Sequence, residues 1–82
     1  MNREEVIKRL EAKSKTLHTC KVWTGSVIEN GGYGRISVDD RKVLVHRLSA
    51  SLYLGFDLLS KSKVVQTCGN PTCWNPDHLR ID

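Results

Sequence analysis

The sequence predicts a small α+β domain, and three observations carry that expectation. These are an amphipathic N-terminal stretch, two short alternating segments meeting at Asp39-Asp40, and a Cys/His cluster near the C-terminus. The chain has 82 residues, one domain's worth. A core of that size usually needs a staple, either a metal ion or disulfides.

A helix is predicted over residues 3–15, where Val6, Ile7 and Leu10 recur at helical spacing, Asn2 is a candidate N-cap, and Lys and Glu fill the other face. From Cys20 the pattern changes. Val22 and Trp23 lead through Thr24-Gly25 to Glu29-Asn30-Gly31-Gly32, which reads as a loop. A hairpin follows, with Tyr33, Ile36 and Val38 in one strand, Val43, Leu44 and Val45 in the next, and Asp39-Asp40 as its turn. Residues 46–54 fit a short helix because Leu48, Leu52 and Tyr53 recur at three- and four-residue offsets, with Gly55 as its stop. Phe56 opens an apolar connection, Ser60-Lys61-Ser62-Lys63 is a polar turn, and Val64-Val65-Gln66-Thr67 is one short strand. No internal repeat or second domain is visible. The division expected is an N-terminal helix and linker over 1–19 and a single folded unit over 20–82.

Hydrophobic residues make up 39% and charged residues 27% of the chain, values of a soluble globular protein rather than a disordered or collagenous one. No apolar run approaches the roughly 20 residues of a membrane helix, and Met1-Asn2-Arg3-Glu4-Glu5 does not open a signal peptide. A cytosolic protein with no membrane partner is therefore expected. The formal net charge of +4 leans towards polyanions such as nucleic acid, a weak signal that an ordinary solvated surface also gives.

Three cysteines would leave one thiol over in a closed disulfide framework, and a reducing compartment disfavours the pairs in any case. Metal ligation accounts for the count better. In Cys68-Gly69-Asn70-Pro71-Thr72-Cys73-Trp74-Asn75-Pro76-Asp77-His78, two thiols and an imidazole stand at four-residue gaps among turn-forming residues. Zn2+ takes thiolate and imidazole in a closed tetrahedron when its role is structural, and Cys20 is the natural fourth ligand. His18 competes for that place and ranks below Cys20, since a lone histidine is more often a surface residue. Reduced buried cysteines beside an unrelated histidine are the competing account of the whole cluster.

From residue 20 to 82 the chain resembles the zinc-binding His-Me finger endonucleases of the HNH-like group, a ββα-metal family common in phages and mobile introns. The matching segments are Cys20-Lys21-Val22-Trp23-Thr24-Gly25, Tyr33-Gly34-Arg35, His46-Arg47, and Gln66-Thr67-Cys68 through His78-Leu79. The resemblance implies that Cys20 joins Cys68, Cys73 and His78 on zinc. In active relatives a histidine two residues before the first knuckle cysteine is the general base, and this chain has Gln66 there. A glutamine amide can orient a water but cannot take its proton. The relatives also hold Mg2+ with a side chain on a helix after the His-Leu pair, and the chain read here stops at Asp82, before such a helix. The expectation is a nuclease-derived scaffold without nuclease activity.

The first function expected is DNA binding through the hairpin and its neighbours, with Arg35, Arg41, Lys42 and Arg47 neutralising phosphates; Lys and Arg that merely protect a strand edge are the bland account. Two other classes stay open. One is an adaptor or inhibitor binding a host protein through Trp23, Tyr53, Phe56 or Trp74. The other is an active endonuclease or nickase working through His46, which alone would call for Mg2+.

Overall fold

The structure is a computed structural model and describes residues 2–29, 31–58 and 60–82. Asn30, within the expected loop, and Leu59, in the apolar connection, lie outside the described residues, as does Met1.

Helix α1 (Arg3–Ala12) starts as expected. The Asn2 side chain accepts the Glu5 backbone N–H at 3.2 Å, and Glu4 and Glu5 occupy the first turn, where the helix dipole favours acids. Val6 and Leu10, one turn apart, bury the inner face. The helix is shorter than the sequence suggests. Residues 14–17 leave it to form β1 (Ser14–Leu17), which pairs antiparallel with β2 (Cys20–Trp23), Ser14 facing Trp23 and Leu17 facing Cys20. The Lys13 carbonyl, at the helix end, accepts both the backbone N–H (2.7 Å) and the hydroxyl (2.6 Å) of Thr24. Long-range pairing of this kind outcompetes helical propensity over so few residues. The segment expected as a linker is thus an ordered strand.

Strands β3 (Arg35–Val38) and β4 (Arg41–Leu44) form the expected hairpin. Asp39 and Asp40 both have positive φ, 50° and 63°, the conformation of a two-residue turn whose twist matches the strands. Val45 was expected in the second strand. Instead its N–H donates to the Gly34 carbonyl at 2.9 Å and it opens helix α2 (Val45–Leu54). Gly55 ends α2 in the left-handed conformation, φ 71°, as its sequence position suggests. The final pair is β5 (Val64–Gln66) with β6 (Leu79–Ile81), the latter unforeseen.

Among the described residues the strands thus pair as three separate antiparallel hairpins. The 72–74 segment docks on the outer edge of β2. Trp23 N–H donates to the Thr72 carbonyl and Trp74 N–H to the Lys21 carbonyl, both at 2.9 Å. One core joins these parts: Val6 and Leu10 of α1, Trp23, Ile36 and Val38 from the hairpins, Val45, Leu48 and Leu52 of α2, and Trp74. A smaller cluster of Ala50, Phe56, Val64 and Leu79 lies under the C-terminal end.

Two glycines of the sequence motifs have a packing reason. A Cβ on Gly25 would lie 2.6 Å from Trp23 Cζ2, and one on Gly34 would lie 2.7 Å from Trp23 Cδ1. Both motifs therefore serve the same indole, whose N–H donates to the Ser26 carbonyl at 2.9 Å.

Candidate functional site

Cys20 opens β2, Cys68 follows β5, Cys73 sits in the segment docked on β2, and His78 ends a short 3-10 turn (Pro76–His78). Turn chemistry holds this knuckle in shape. The Asn70 side-chain oxygen accepts the Thr72 N–H at 3.0 Å and the Thr72 hydroxyl at 2.8 Å, and Cys73 N–H donates to the Asn70 carbonyl. Asn75 caps the 3-10 turn through the Asp77 N–H. Its own amide donates to the Thr19 carbonyl at 2.6 Å, tying the knuckle to the β1–β2 turn beside Cys20.

The result is that the side-chain donors of Cys20, Cys68, Cys73 and His78 all lie within 4.8 Å of one another. The Cys20 and Cys73 sulfurs each stand 3.5 Å from His78 Nδ1. Burial and the two neighbouring thiols push the Cys20 thiol up to about 12. Burial also acts to raise the Cys68 thiol, but the Asn70 backbone N–H and the neighbouring thiols outweigh it and hold Cys68 below the usual range. Three thiols and an imidazole converging at this spacing are donors that suit a metal ion, so the four residues can hold one. His18 takes no part: it lies exposed in the β1–β2 turn with φ 57°, outside the cluster.

Beside the knuckle lies a cleft of about 590 Å³ whose walls include Tyr33, His46, Arg47, Lys63, Gln66 and Pro71. Gln66 donates its amide N–H to the Pro71 carbonyl at 3.0 Å. His46 is 5% exposed, stacks on Tyr33 with ring centroids 5.0 Å apart, and leaves Nδ1 without a hydrogen-bond partner. Burial pushes its pKa down to about 4, with the Arg47 charge acting the same way and a hydrogen bond to the Val64 backbone opposing it. The ring is neutral near pH 7.

The expected phosphate-binding cations separate. Arg47 donates to the carbonyls of Ser60 (2.8 Å), Ser62 (2.9 Å) and Leu58 (3.4 Å) and lies over the Phe56 ring at 4.9 Å. It ties down the chain after α2, a role that needs a guanidinium's several donors and that no local sequence signal announces. Strand alternation divides the neighbours Arg41 and Lys42. Lys42 pairs with Ser37 and shares a hairpin face with Arg35, whereas Arg41 pairs with Val38 on the face that also carries Ile36. Of the aromatics expected as protein-binding anchors, Trp23, Phe56 and Trp74 are 4%, 6% and 0% exposed. Those three are core residues; Tyr53 alone of the four is an exposed residue, with the Arg3 guanidinium 5.7 Å from its ring centroid.

Fold and site together describe a small α+β domain whose two ends meet at a cluster of three thiols and an imidazole able to hold a metal ion. The chain is 33% identical over 81 residues to protein 2.8 of Escherichia phage T7, an overlap covering 96% of this chain and 51% of that protein. The chain thus spans about half the length of the curated relative it matches. No family model matches the chain. No solved structure matches it either.

Proposed function

We propose that this chain is a zinc-stapled domain of the His-Me finger type that binds nucleic acid without cleaving it. Zinc suits the donor set. With Zn–S near 2.3 Å and Zn–N near 2.0–2.1 Å, the edges of a tetrahedron come to about 3.5–3.8 Å; the Cys20–His78 and Cys73–His78 separations are 3.5 Å, and all four donors lie within 4.8 Å of one another. The set is closed, with four protein donors, as in structural rather than catalytic zinc sites.

The observation that carries the nucleic-acid reading is the shared hairpin face of Arg35 and Lys42 on a chain of net charge +4. Support for the absence of cleavage comes from Gln66. It lines the cleft beside the knuckle with its amide N–H committed to Pro71, and an amide is no proton acceptor near neutral pH.

One observation favours a second reading, a metal-dependent nickase using His46. That ring is neutral, lines the same cleft and has an unpartnered Nδ1. A single experiment separates the two. Zinc-loaded protein is titrated against a fluorescent DNA duplex at low and physiological salt, and the same sample is incubated with supercoiled plasmid in Mg2+. Salt-sensitive binding without nicking is the expected outcome. No binding at low salt overturns the proposal, and nicking that vanishes in His46→Ala establishes the nickase.

A further inference from the structure

The α1 helix lies outside the region of family resemblance, yet it delivers two cations to the hairpin. A groove of about 220 Å³ is lined by Arg9 and Lys13 from the end of α1 and by Arg35 and Lys42 from β3 and β4. Trp23 and Ile36 supply its apolar lining, and Ser26 and Ser37 add polar groups. Among the described residues no carboxylate lines it. The acid nearest in sequence to both helix cations is Glu11, which reaches to Lys21 at 3.1 Å instead.

Gathering four cationic side chains around one concavity costs free energy through like-charge repulsion, and the fold offers no internal counter-charge in the lining to offset it. Arg35 is itself half-buried, so its charge is less screened than that of a side chain standing free in water. An anion that enters the groove meets two guanidinium or ammonium groups from each side, together with polar groups suited to phosphate oxygens.

We infer that this groove holds a backbone phosphate of bound nucleic acid, and that α1 is part of the binding surface through Arg9 and Lys13. The inference rests on the nucleic-acid reading above and adds the place where the backbone sits. Contacts of this kind fix orientation on the strand without reading its sequence. The binding surface is then continuous from the helix end to the hairpin, which makes α1 a functional element as well as a packing one.

The test is the slope of log binding constant against log salt for a fluorescein-labelled DNA duplex. Three zinc-loaded proteins are compared: the parent chain, Arg9→Ala/Lys13→Ala, and a control of equal net charge, Lys8→Ala/Lys61→Ala. All four substituted positions are exposed, and neither control residue lines the groove. Each lost phosphate contact should lower the slope by about 0.9 and weaken binding roughly tenfold near 0.1 M salt. With one phosphate in the groove, the groove variant is therefore expected to lose up to about 0.9 in slope while the control keeps the parental value. A parental slope in the groove variant, or an equal loss in both variants, overturns the inference and leaves the nucleic-acid reading standing. A parent chain that binds no duplex overturns that reading itself.

Discussion

The indole N–H of Trp74 donates to the Ser14 hydroxyl at 2.8 Å, and that hydroxyl in turn donates to the Leu10 carbonyl in the last turn of α1. Sixty residues of chain separate the indole from the serine. A single hydroxyl thus joins the N-terminal helix to the cysteine knuckle, and it does so beside a tryptophan with no exposed surface.

Replacing Ser14 by alanine should leave that indole N–H unpaired in the core. The expected cost is about 1–3 kcal/mol, measured as a lower urea midpoint with an unchanged slope. Equal stability of parent and variant would show that the bond contributes nothing net.

The metal centre should account for much of the fold's stability. Cys20 and Cys68 close a long loop, and structural zinc commonly contributes on the order of 10 kcal/mol to folding. One zinc ion per chain is expected by elemental analysis of protein prepared without added metal. Chelation or Cys73→Ala should then abolish the cooperative melting transition. A melting temperature insensitive to both treatments would remove the structural role.

Gly34 is predicted to tolerate no side chain. Its Cβ would stand 2.7 Å from Trp23 Cδ1 and 3.2 Å from Val45 Cγ2, where neither a buried indole nor the first residue of α2 can yield. Gly34→Ala should destabilise by about 1–3 kcal/mol, the usual cost of overpacking. An unshifted thermal midpoint would mean that the strand can move away from the indole.

His46 should make stability depend on pH. Its folded pKa, about 4, lies below the ordinary 6.5, so the unfolded chain binds the extra proton between those values. The contribution is complete above pH 6.5 and is lost as pH falls towards 4, at a limiting rate of about 1.4 kcal/mol per pH unit. His46→Gln should remove this component. Acid loss of metal acts on both proteins and cancels in the difference between their stability–pH curves, so parallel curves would refute the assignment.

Much of the architecture was legible because it is written in local chemistry. Asn2 and Gly55 mark helix ends through capping and a positive φ, and Asp39-Asp40 marks a turn through residues that tolerate that conformation. The donor set was legible for a related reason. Thiols and an imidazole at short gaps among Asn, Pro and Gly need only tight turns to converge, and Cys20 remained as the natural fourth thiol.

What escaped the sequence depends on partners far along the chain. Four residues of β1 and three of β6 carry too little periodicity to declare themselves, and they are strands only because β2 and β5 lie alongside. Arg47 looks like any surface cation until the loop it holds is folded around it, and Trp74 looks available to a partner until α1 and α2 cover it. Arg41 and Lys42 are neighbours in sequence, but the pleat sends them to opposite faces, and Lys42 finds its cationic companions on α1 instead. The sequence by itself determined the start of α1, the stop of α2, the hairpin turn and the four residues able to hold a metal ion, because backbone conformation and ligand chemistry act over a few residues. Which side chains are buried, and which cations face one groove, was decided by the tertiary structure, because burial and charge proximity are properties of distance in space.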